Sequence, residues 1–368
     1  MGHKQRRPRG SELNGGKKLW VGFGLSALFL ALFLFTLDLE HLLNALADAN
    51  YWYVIPGIAL YLVAVGFRTL RWQWLLRHIK PIPVARLFPV VVVGYMANNL
   101  LPMRLGELVR SYYVGEREQV SRTSALVTIF IERLLDALTL LLFICTIAIF
   151  VSLDTVIEVL AAELSIPWPL LIAAGSLPFV IGFGGLMLIA FAPGSARSLA
   201  RLLIRPLPAR FEETAMHIVD MFLQGVESLR KPTDILVLFL MSLPIWIFEA
   251  GLFYMIGFSF GLHHLYDSQL EMIVAMVLVT AIANIGSSIP AAPGGVGLFE
   301  IIGTYTLVWL PLAAVDKEVA GAYIAVVHAC LLIPMIGLGQ VFLWAQHVSL
   351  RNLTRVGKQA VTEGEEAR

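Results

Sequence analysis

The sequence predicts an all-α polytopic membrane protein with six full transmembrane helices plus two re-entrant helical hairpins in an inverted-topology repeat. Three observations support this prediction. Hydrophobic residues make up 58% of the 368 residues and charged residues only 14%, against about 25% charged residues in soluble proteins, and the mean hydropathy is +0.78. Six apolar runs are long enough to cross a bilayer, and two others break early. Lysine and arginine collect in alternate loops.

The apolar runs predict the individual crossings, because a helix needs about 20 apolar residues to span a hydrocarbon core of roughly 30 Å. Six runs are near this length: 19–37, 51–67, 122–151, 167–192, 235–261 and 319–345. Two further stretches, 87–101 and 272–290, break early at polar residues and prolines. The first run follows a basic segment, as a secretory signal would, but it is longer than the apolar core of a signal peptide. We therefore expect a retained anchor.

The basic residues predict the orientation, because cytoplasmic loops are enriched in lysine and arginine. If both broken stretches return to the side from which they enter, 25 of the 27 basic residues lie in predicted inner segments. We expect both termini on the cytoplasmic side of a bacterial inner membrane.

The predicted organisation is a basic N-terminus (1–18), a first repeat (19–151, hairpin about 87–118), an outer loop (152–166), a second repeat (167–345, basic cytoplasmic loop 194–231, hairpin about 272–312) and a cytoplasmic tail (346–368).

The two broken stretches have the same order of residues. Residues 95–107 read YMANNLLPMRLGE, and residues 281–300 read AIANIGSSIPAAPGGVGLFE. Each contains Ala-Asn, then a proline, then glycine and glutamate at the start of a new apolar helix. Transporters built from inverted repeats often carry broken helices at corresponding positions, and these meet at the substrate site. Because lipid offers no hydrogen bonds to a broken backbone, we expect a polar cavity around the two tips.

Two groups of candidate substrate-binding residues come from the first repeat. The first broken stretch contributes Asn98, Asn99, Pro102, Arg104, Gly106, Glu107 and Arg110. The motif IERLLDAL contributes Glu132, Arg133 and Asp136, on a predicted helix that continues with apolar residues. Charges within a membrane helix are costly and usually face the bundle interior or a cavity. The alternative for this second group is a structural ion pair near the cytoplasmic interface.

The second repeat contributes the remaining candidates. Its broken stretch supplies Asn284, Ser287, Ser288, Pro290, Gly294, Gly295, Gly297 and Glu300. A half-helix beginning near Gly297 would present free N–H groups to a phosphate, and the alternative is a flexible Gly-Pro loop. Glu249 lies within an apolar helix, as either a proton-relaying or a structural carboxylate. His328, at a comparable depth, fits a hydrogen-bonded core histidine.

No cofactor, metal or nucleic-acid site is expected. Cys145 and Cys330 lie within apolar runs, and no nucleotide fingerprint, metal-ligand cluster or Ser/His/Asp arrangement stands out. Asp38 and Glu40 follow the first crossing, where a glycosyltransferase that uses a lipid-linked sugar would place a metal-binding base. The outer loops are too short for an acceptor domain, which favours a solvated interfacial loop.

Taken together, NNLLPMRLGELVR, ERLLD and PAAPGGVGLFE resemble the lysylphosphatidylglycerol synthase transmembrane-region family. This is the flippase-like module of the bacterial multiple peptide resistance factor and of many stand-alone proteins. The resemblance spans about residues 19–345 and implies an eight-segment bundle with re-entrant helices. Matched position by position, it implicates Asn99, Pro102, Arg104, Gly106, Glu107 and Arg110 in the first motif, Glu132, Arg133 and Asp136 in the second, and Pro290, Gly294, Gly295, Gly297 and Glu300 in the third.

The resemblance also implies a function. Such a module moves a phospholipid or a lipid-linked head group between leaflets, so this lipid is the expected partner. The aminoacyl-transferase domain of the bifunctional synthase has no counterpart, so we expect no lysylphosphatidylglycerol synthesis and no enzymatic activity. The alternatives are an integral-membrane glycosyl or lipid transferase and a non-transporting membrane subunit of a lipid-modifying complex. A homo-oligomer and a complex with a lipid-modifying enzyme both stay open.

Overall fold

The computed structural model describes residues 26–101, 105–151, 167–205, 232–288 and 293–345, with a few single positions between these ranges. Within them the chain is helical and contains no strand. The first half contains α1 (Ser26–Phe35), α2 (Leu39–Asp48), α3 (Val54–Leu76), α4 (Val84–Leu100), α5 (Gly106–Glu118) and α6 (Arg122–Ala148). The second half contains α7 (Trp168–Phe191), α8 (Pro193–Ile204), α9 (Pro232–Ser259), α10 (Gln269–Gly286), α11 (Leu298–Trp309) and α12 (Lys317–Ala345).

Several helices are long and apolar enough to cross a membrane. Among the described residues these are α3 with the turn before it, α9, α10 and α12, and the bent pair α1 and α2 makes a fifth if it is one span. The chain is therefore a multi-pass integral membrane protein. Helices α6, with 27 residues, and α7, with 24, coincide with two more predicted crossings. The exact count of six crossings and two re-entrant hairpins stays a prediction.

The segment after the first predicted crossing differs from the expected loop. Helix α1 covers the described part of that crossing, and the chain then turns through 94° into α2. Asp38 begins α2, because its Oδ1 accepts hydrogen bonds from the backbone N–H groups of Glu40 at 2.9 Å and His41 at 3.2 Å. The stretch at Asp38 and Glu40, which the sequence assigned to a solvated interfacial loop, therefore begins a helix, as the acidic cap residue could have indicated.

Each broken stretch forms two helices that contact each other, α4 with α5 and α10 with α11. Helix α4 ends because Leu101 adopts extended backbone angles, with φ −108° and ψ 140°. Helix α11 begins after Gly297, whose φ of 88° is a conformation accessible mainly to glycine. The helix breaks therefore lie at the predicted tips, while the side of the membrane from which each hairpin enters stays a prediction.

Gly106 allows α4 and α5 to approach each other closely. A Cβ atom at Gly106 would lie 2.2 Å from the carbonyl oxygen of Gly94 and 2.5 Å from the backbone nitrogen of Asn98. Both contacts are with backbone, so the two helices would have to separate to admit any side chain. Gly106, a predicted substrate-binding residue, therefore has a packing role.

The helix contacts of the second half repeat those of the first. Helix α4 packs on α12 and, in the corresponding way, α10 packs on α6. Helix α3 contacts α12 just as α9 contacts α6, and α3 and α9 pack along each other. The hairpin of each half thus lies against a long helix of the other half. This pattern is expected for the two predicted repeats and brings residues from both of them to one site.

Candidate functional site

A cavity of about 310 Å³ lies between the two halves. Ten of the predicted residues line it: Asn98, Asn99, Arg133, Asp136, Glu249, Asn284, Ser287, Ser288, Gly294 and Gly295. Six others lie outside its lining: Gly106, Glu107, Arg110, Glu132, Gly297 and Glu300. Pro102, Arg104 and Pro290 lie outside the described residues, so the predicted contact of Arg104 with a phosphate has no structural description.

The tips of the two broken stretches meet at this cavity. A Cβ atom placed on Gly294 would lie 3.3 Å from the backbone oxygen of Asn99. On the other side of the same turn, a Cβ atom on Gly295 would lie 3.5 Å from Cβ of Ser287. Glycine therefore allows the turn after Pro293 to fit between α4 and the end of α10, and one wall of the cavity consists of these backbone contacts.

Charged side chains of α3 and α6 face each other at the cavity and directly behind it. Arg68 and Arg71 are three residues apart on α3, while Glu132 and Asp136 are four apart on α6, so each pair lies on one helical face. Arg71 is completely buried, and its Nη1 donates to Asp136 Oδ1 at 2.8 Å and to Ser242 Oγ at 2.6 Å. Each buried charge thus has an oppositely charged neighbour, as the membrane interior requires.

Arg68 links the two halves of the protein. Its Nη2 donates to the Glu249 carboxylate on α9, and its Nη1 donates to the Tyr95 hydroxyl on α4 at 3.1 Å. Its guanidinium also lies 4.8 Å from the ring centroid of Trp246, within the range of a cation–π contact. Glu249, for which the sequence left two roles open, is therefore an ion-paired carboxylate.

Arg133 is the most accessible arginine of this group. Its Nη2 lies 3.2 Å from Asp136 Oδ2 and donates to the Tyr95 hydroxyl at 3.2 Å. Its side chain is 28% exposed, whereas the side chains of Arg68 and Arg71 are exposed by 6% or less. A ligand that enters the cavity can therefore reach Arg133 directly.

Glu132 and Arg110 form a second layer that does not line the cavity. Arg110 Nη1 lies 2.8 Å from Glu132 Oε2, and the Arg110 guanidinium lies 3.7 Å from the ring centroid of Trp72. Glu132 Oε1 also lies 3.8 Å from Arg71 Nε. These two predicted binding residues hold α5 and α3 against α6, so their contacts are those of positioning residues. Glu107, half-buried on α5, lies outside these ion pairs.

The ion-paired cluster brings arginines and carboxylates together, and the half-buried carboxylate of Glu107 also interacts electrostatically with Arg133. Its four guanidinium groups belong to Arg68, Arg71, Arg110 and Arg133, and its three carboxylates to Glu132, Asp136 and Glu249. Several buried polar atoms of cavity residues also have no hydrogen-bond partner among the described residues. They are Nε of Arg68, Nε of Arg133, Nε1 of Trp246, Oδ1 of Asn98 and Oδ2 of Asp136, the last of which lies 3.2 Å from Arg133 Nη2. Three of these five atoms are donors, and they are chemically suited to an anion with several oxygen acceptors.

The start of α11 differs from the predicted phosphate site. The helix begins next to Gly297 as predicted, but the Gly297 N–H donates to Glu300 Oε2 at 2.7 Å. A Cβ atom on Gly297 would lie 2.4 Å from Cβ of Phe29, so this glycine packs against α1 and not against the cavity. The carboxylate of the chain itself therefore occupies the helix terminus that was predicted to bind a ligand, as a glutamate at the third helical position commonly does.

His328 connects α12 to this same region. Its Nδ1 lies 2.6 Å from Glu300 Oε1, and its Nε2 lies 3.0 Å from the carbonyl oxygen of Gly294. The Phe299 ring stacks on the imidazole, with centroids 4.3 Å apart. The histidine is hydrogen-bonded within the core, as expected, and it also lines the cavity.

Tyr61, Arg68, Arg71, Tyr95 and Trp246, which contribute polar or charged groups to the cavity or the cluster, were not predicted from the sequence. The two arginines were assigned to a cytoplasmic loop because the apolar run ends at residue 67, but α3 continues to Leu76. Their three-residue spacing on an extended helix is the signal that could have identified them. The aromatic residues carry no such signal, since aromatic side chains are common throughout membrane helices. Among the described residues, no group of His, Cys, Asp or Glu is placed to hold a metal ion.

Comparisons with known proteins agree on a membrane family. The family model described as the lysylphosphatidylglycerol synthase TM region matches residues 19–339. A Haloferax volcanii protein named glycosyltransferase AglD is 24% identical over 84% of this chain and 51% of its own length, so the chain spans about half of that relative. A UPF0104 membrane protein of Methanothermobacter thermautotrophicus is 28% identical over 76% of this chain and 81% of its own length. A second UPF0104 membrane protein from that organism is 22% identical over 82% of this chain and 89% of its own length.

Proposed function

Because the chain belongs to the lysylphosphatidylglycerol synthase transmembrane-region family, we propose that it moves a phospholipid or a lipid-linked head group between the two leaflets of its membrane. The observation that carries this proposal is the buried arginine cluster at the cavity between the two tips. Two of its arginines, Arg68 and Arg133, line the cavity, and each has a buried N–H donor without a partner among the described residues. The oxygens of a phosphate diester would accept hydrogen bonds from such donors.

The polar groups of the cavity fit the rest of a head group. Arg68, Arg133 and Trp246 provide N–H donors without partners for phosphate oxygens. Asn99 is half-buried and lines the cavity, and its amide oxygen would accept a hydrogen bond from a hydroxyl or ammonium group of the ligand. The cavity volume of about 310 Å³ is near the lower end of ligand pockets, which span about 300–1,000 Å³. A head group fits this volume, and the acyl chains would remain in the lipid.

In the proposed orientation, both termini of the protein lie on the cytoplasmic side of the cell membrane. This orientation rests on the lysines and arginines of the predicted inner segments. The relatives described above are archaeal, so the proposal refers to the cytoplasmic membrane in general and not to a bacterial one in particular.

Replacing Arg133 with glutamine is expected to slow lipid movement by roughly 10- to 100-fold, because a hydrogen bond to a charged group contributes about 1.5–3 kcal/mol. Purified protein would be reconstituted into liposomes with head-group-labelled lipids, and transbilayer movement would be followed for anionic, zwitterionic and cationic head groups. Arg133 is the appropriate target because it is the more exposed of the two described arginines that line the cavity.

Arg122→Gln provides the matched control. Arg122 is an exposed arginine that pairs with Glu116 at 2.6 Å, away from the cavity. Its substitution removes the same charge and is expected to leave lipid movement unchanged. If folded wild-type protein moves no lipid faster than empty liposomes, or if both variants are impaired equally, the proposal is wrong.

A transferase is the second candidate function, because one relative carries the name glycosyltransferase. In this function Asp38 would act as a base or metal ligand, whereas in the structure it caps α2. Asp38→Asn separates the two roles, since asparagine is an equally good helix cap but a poor base. We expect this variant to keep full lipid movement.

Loss of a cellular phenotype in Asp38→Asn, with no lipid movement by the wild type, would favour the transferase. Co-purification with an enzyme, again without lipid movement, would favour a membrane subunit.

A further inference from the structure

We propose that Glu300 and His328 form a proton-binding site whose proton fastens the turn Pro293–Gly297 to α12 and so fixes one wall of the cavity. Coupling of this proton to lipid movement rests on the proposed function, whereas the proton site itself does not. Both residues of the site belong to the second half of the chain. Among the described residues, neither of them forms an ion pair with the arginine cluster.

The hydrogen-bond geometry determines how many protons His328 and Glu300 carry together. The Gly294 carbonyl oxygen can only accept a hydrogen bond, so His328 Nε2, 3.0 Å away, must carry hydrogen. The second imidazole nitrogen, Nδ1, lies 2.6 Å from Glu300 Oε1. One more proton must lie between these two atoms, on either the imidazole or the carboxyl group. Without it, a nitrogen lone pair would face a carboxylate.

Loss of the shared proton therefore breaks one of the two contacts of His328. If Nε2 keeps its hydrogen, Nδ1 and Glu300 Oε1 repel each other. If the remaining hydrogen moves to Nδ1, the contact with the Gly294 carbonyl is lost. The other oxygen of Glu300 is already occupied by the Gly297 N–H at 2.7 Å. This backbone contact does not depend on the shared proton, so the loss of that proton changes the two contacts of His328.

Both side chains are buried, and His328 reaches the cavity, so the cavity offers the proton a route to the pair. Other titratable groups line the same cavity: Tyr61 and Arg68 from α3, Tyr95 from α4, Arg133 and Asp136 from α6, and Glu249 from α9. The described arginines and carboxylates among them already pair with each other. Helix α2, which also packs on α12, carries exposed titratable side chains, namely Glu40, His41 and Asp48.

The glycine turn can respond to this change, since Gly294, Gly295 and Gly297 have φ values of 62°, 75° and 88° that glycine adopts without strain. Gly294 and Gly295 line the cavity and contact Asn99 and Ser287. A turn released from His328 would therefore expose Ser287 and widen the space between the two tips.

The test measures the accessibility of residue 287 and requires no lipid movement. Ser287→Cys would be placed in a chain with Cys145→Ala and Cys330→Ala, reconstituted in liposomes and labelled with a neutral thiol reagent between about pH 5 and about pH 9. Glu300→Gln is the reference, because its amide can donate to Nδ1 and accept from Gly297 at every pH. It therefore mimics the protonated pair and also corrects for the pH dependence of the reagent.

We expect the labelling rate of the parent chain, divided by that of Glu300→Gln, to rise roughly tenfold with pH, as the loss of one buried hydrogen bond implies. His328→Leu should label rapidly at every pH. His41→Gln, a substitution of a histidine whose side chain is 73% exposed, should behave like the parent. The inference is overturned if the parent and Glu300→Gln change with pH in parallel. This result is independent of the lipid assay, so either proposal can fail while the other stands.

Discussion

Replacing Asp136 with alanine is expected to lower the free energy of unfolding by about 3–5 kcal/mol, the usual effect of removing one partner from a buried ion pair. The Asp136 carboxylate lies 2.8 Å from Arg71, 3.2 Å from Arg133 and 3.9 Å from Arg68. Arg71 has no exposed surface, so its charge cannot reach water when the carboxylate is gone. The two carboxylates left in the ion-paired cluster, those of Glu132 and Glu249, would then face four guanidinium groups.

Glu116→Ala is the control for this prediction. Glu116 also pairs with an arginine, at 2.6 Å from Arg122, but its side chain is 53% exposed. An exposed ion pair contributes about 0–1 kcal/mol, so this variant should melt close to the wild type. The measurement is thermal unfolding of purified protein in detergent, with the fraction of monodisperse protein as a second readout. Equal melting of the two variants would show that the buried cluster is not what holds α3 to α6.

The second large effect concerns the pair of Arg68 and Glu249, which joins the two halves. Arg68→Met alone leaves the Glu249 carboxylate buried without its main partner and should cost about 3 kcal/mol or more. A double variant with both residues replaced by methionine removes both charges and retains apolar bulk. Because paired replacement of buried charges by hydrophobic residues is often neutral, we expect most of the lost stability to return.

Lipid movement should not return in the double variant. Its cavity would lack Arg68, whose Nε is one of the donors without a partner, even though the protein is stably folded. Thermal melting and the liposome assay on the same preparations would therefore separate the structural role of this pair from its role in binding. Recovery of both stability and lipid movement would exclude Arg68 as a ligand for the head group.

The charged motif of α6 could be predicted from the sequence because charges stand out within an apolar run. The structure places Arg133 and Asp136 at the cavity and Glu132 directly behind it. Arg68 and Arg71 could not be recognised in the same way. They follow the end of an apolar run, where basic residues are normally cytoplasmic, and only the continuation of α3 buries them.

The positions of the two tips could also be predicted, since asparagine, proline and glycine interrupt an apolar helix for known steric reasons. The partners of the hairpins could not. A helix that is apolar on all sides has no face that its sequence distinguishes, so nothing in residues 87–101 indicates that α4 packs on α12. The pair of Glu300 and His328 depends in the same way on the packing of α11 on α12, and it joins residues 28 positions apart.

The exchange of neighbours between the two halves determines which parts can move as rigid bodies. Repeat-built transporters often change access by rocking one repeat against the other. Here α4 lies on α12 and α10 lies on α6, so rotating one whole half would pull both hairpins away from their packing surfaces at once. Each hairpin also packs on the long helix of its own half, α5 on α6 and α11 on α12. Each hairpin therefore bridges the long helices of both halves, and rocking of one half against the other requires the hairpins to change neighbours.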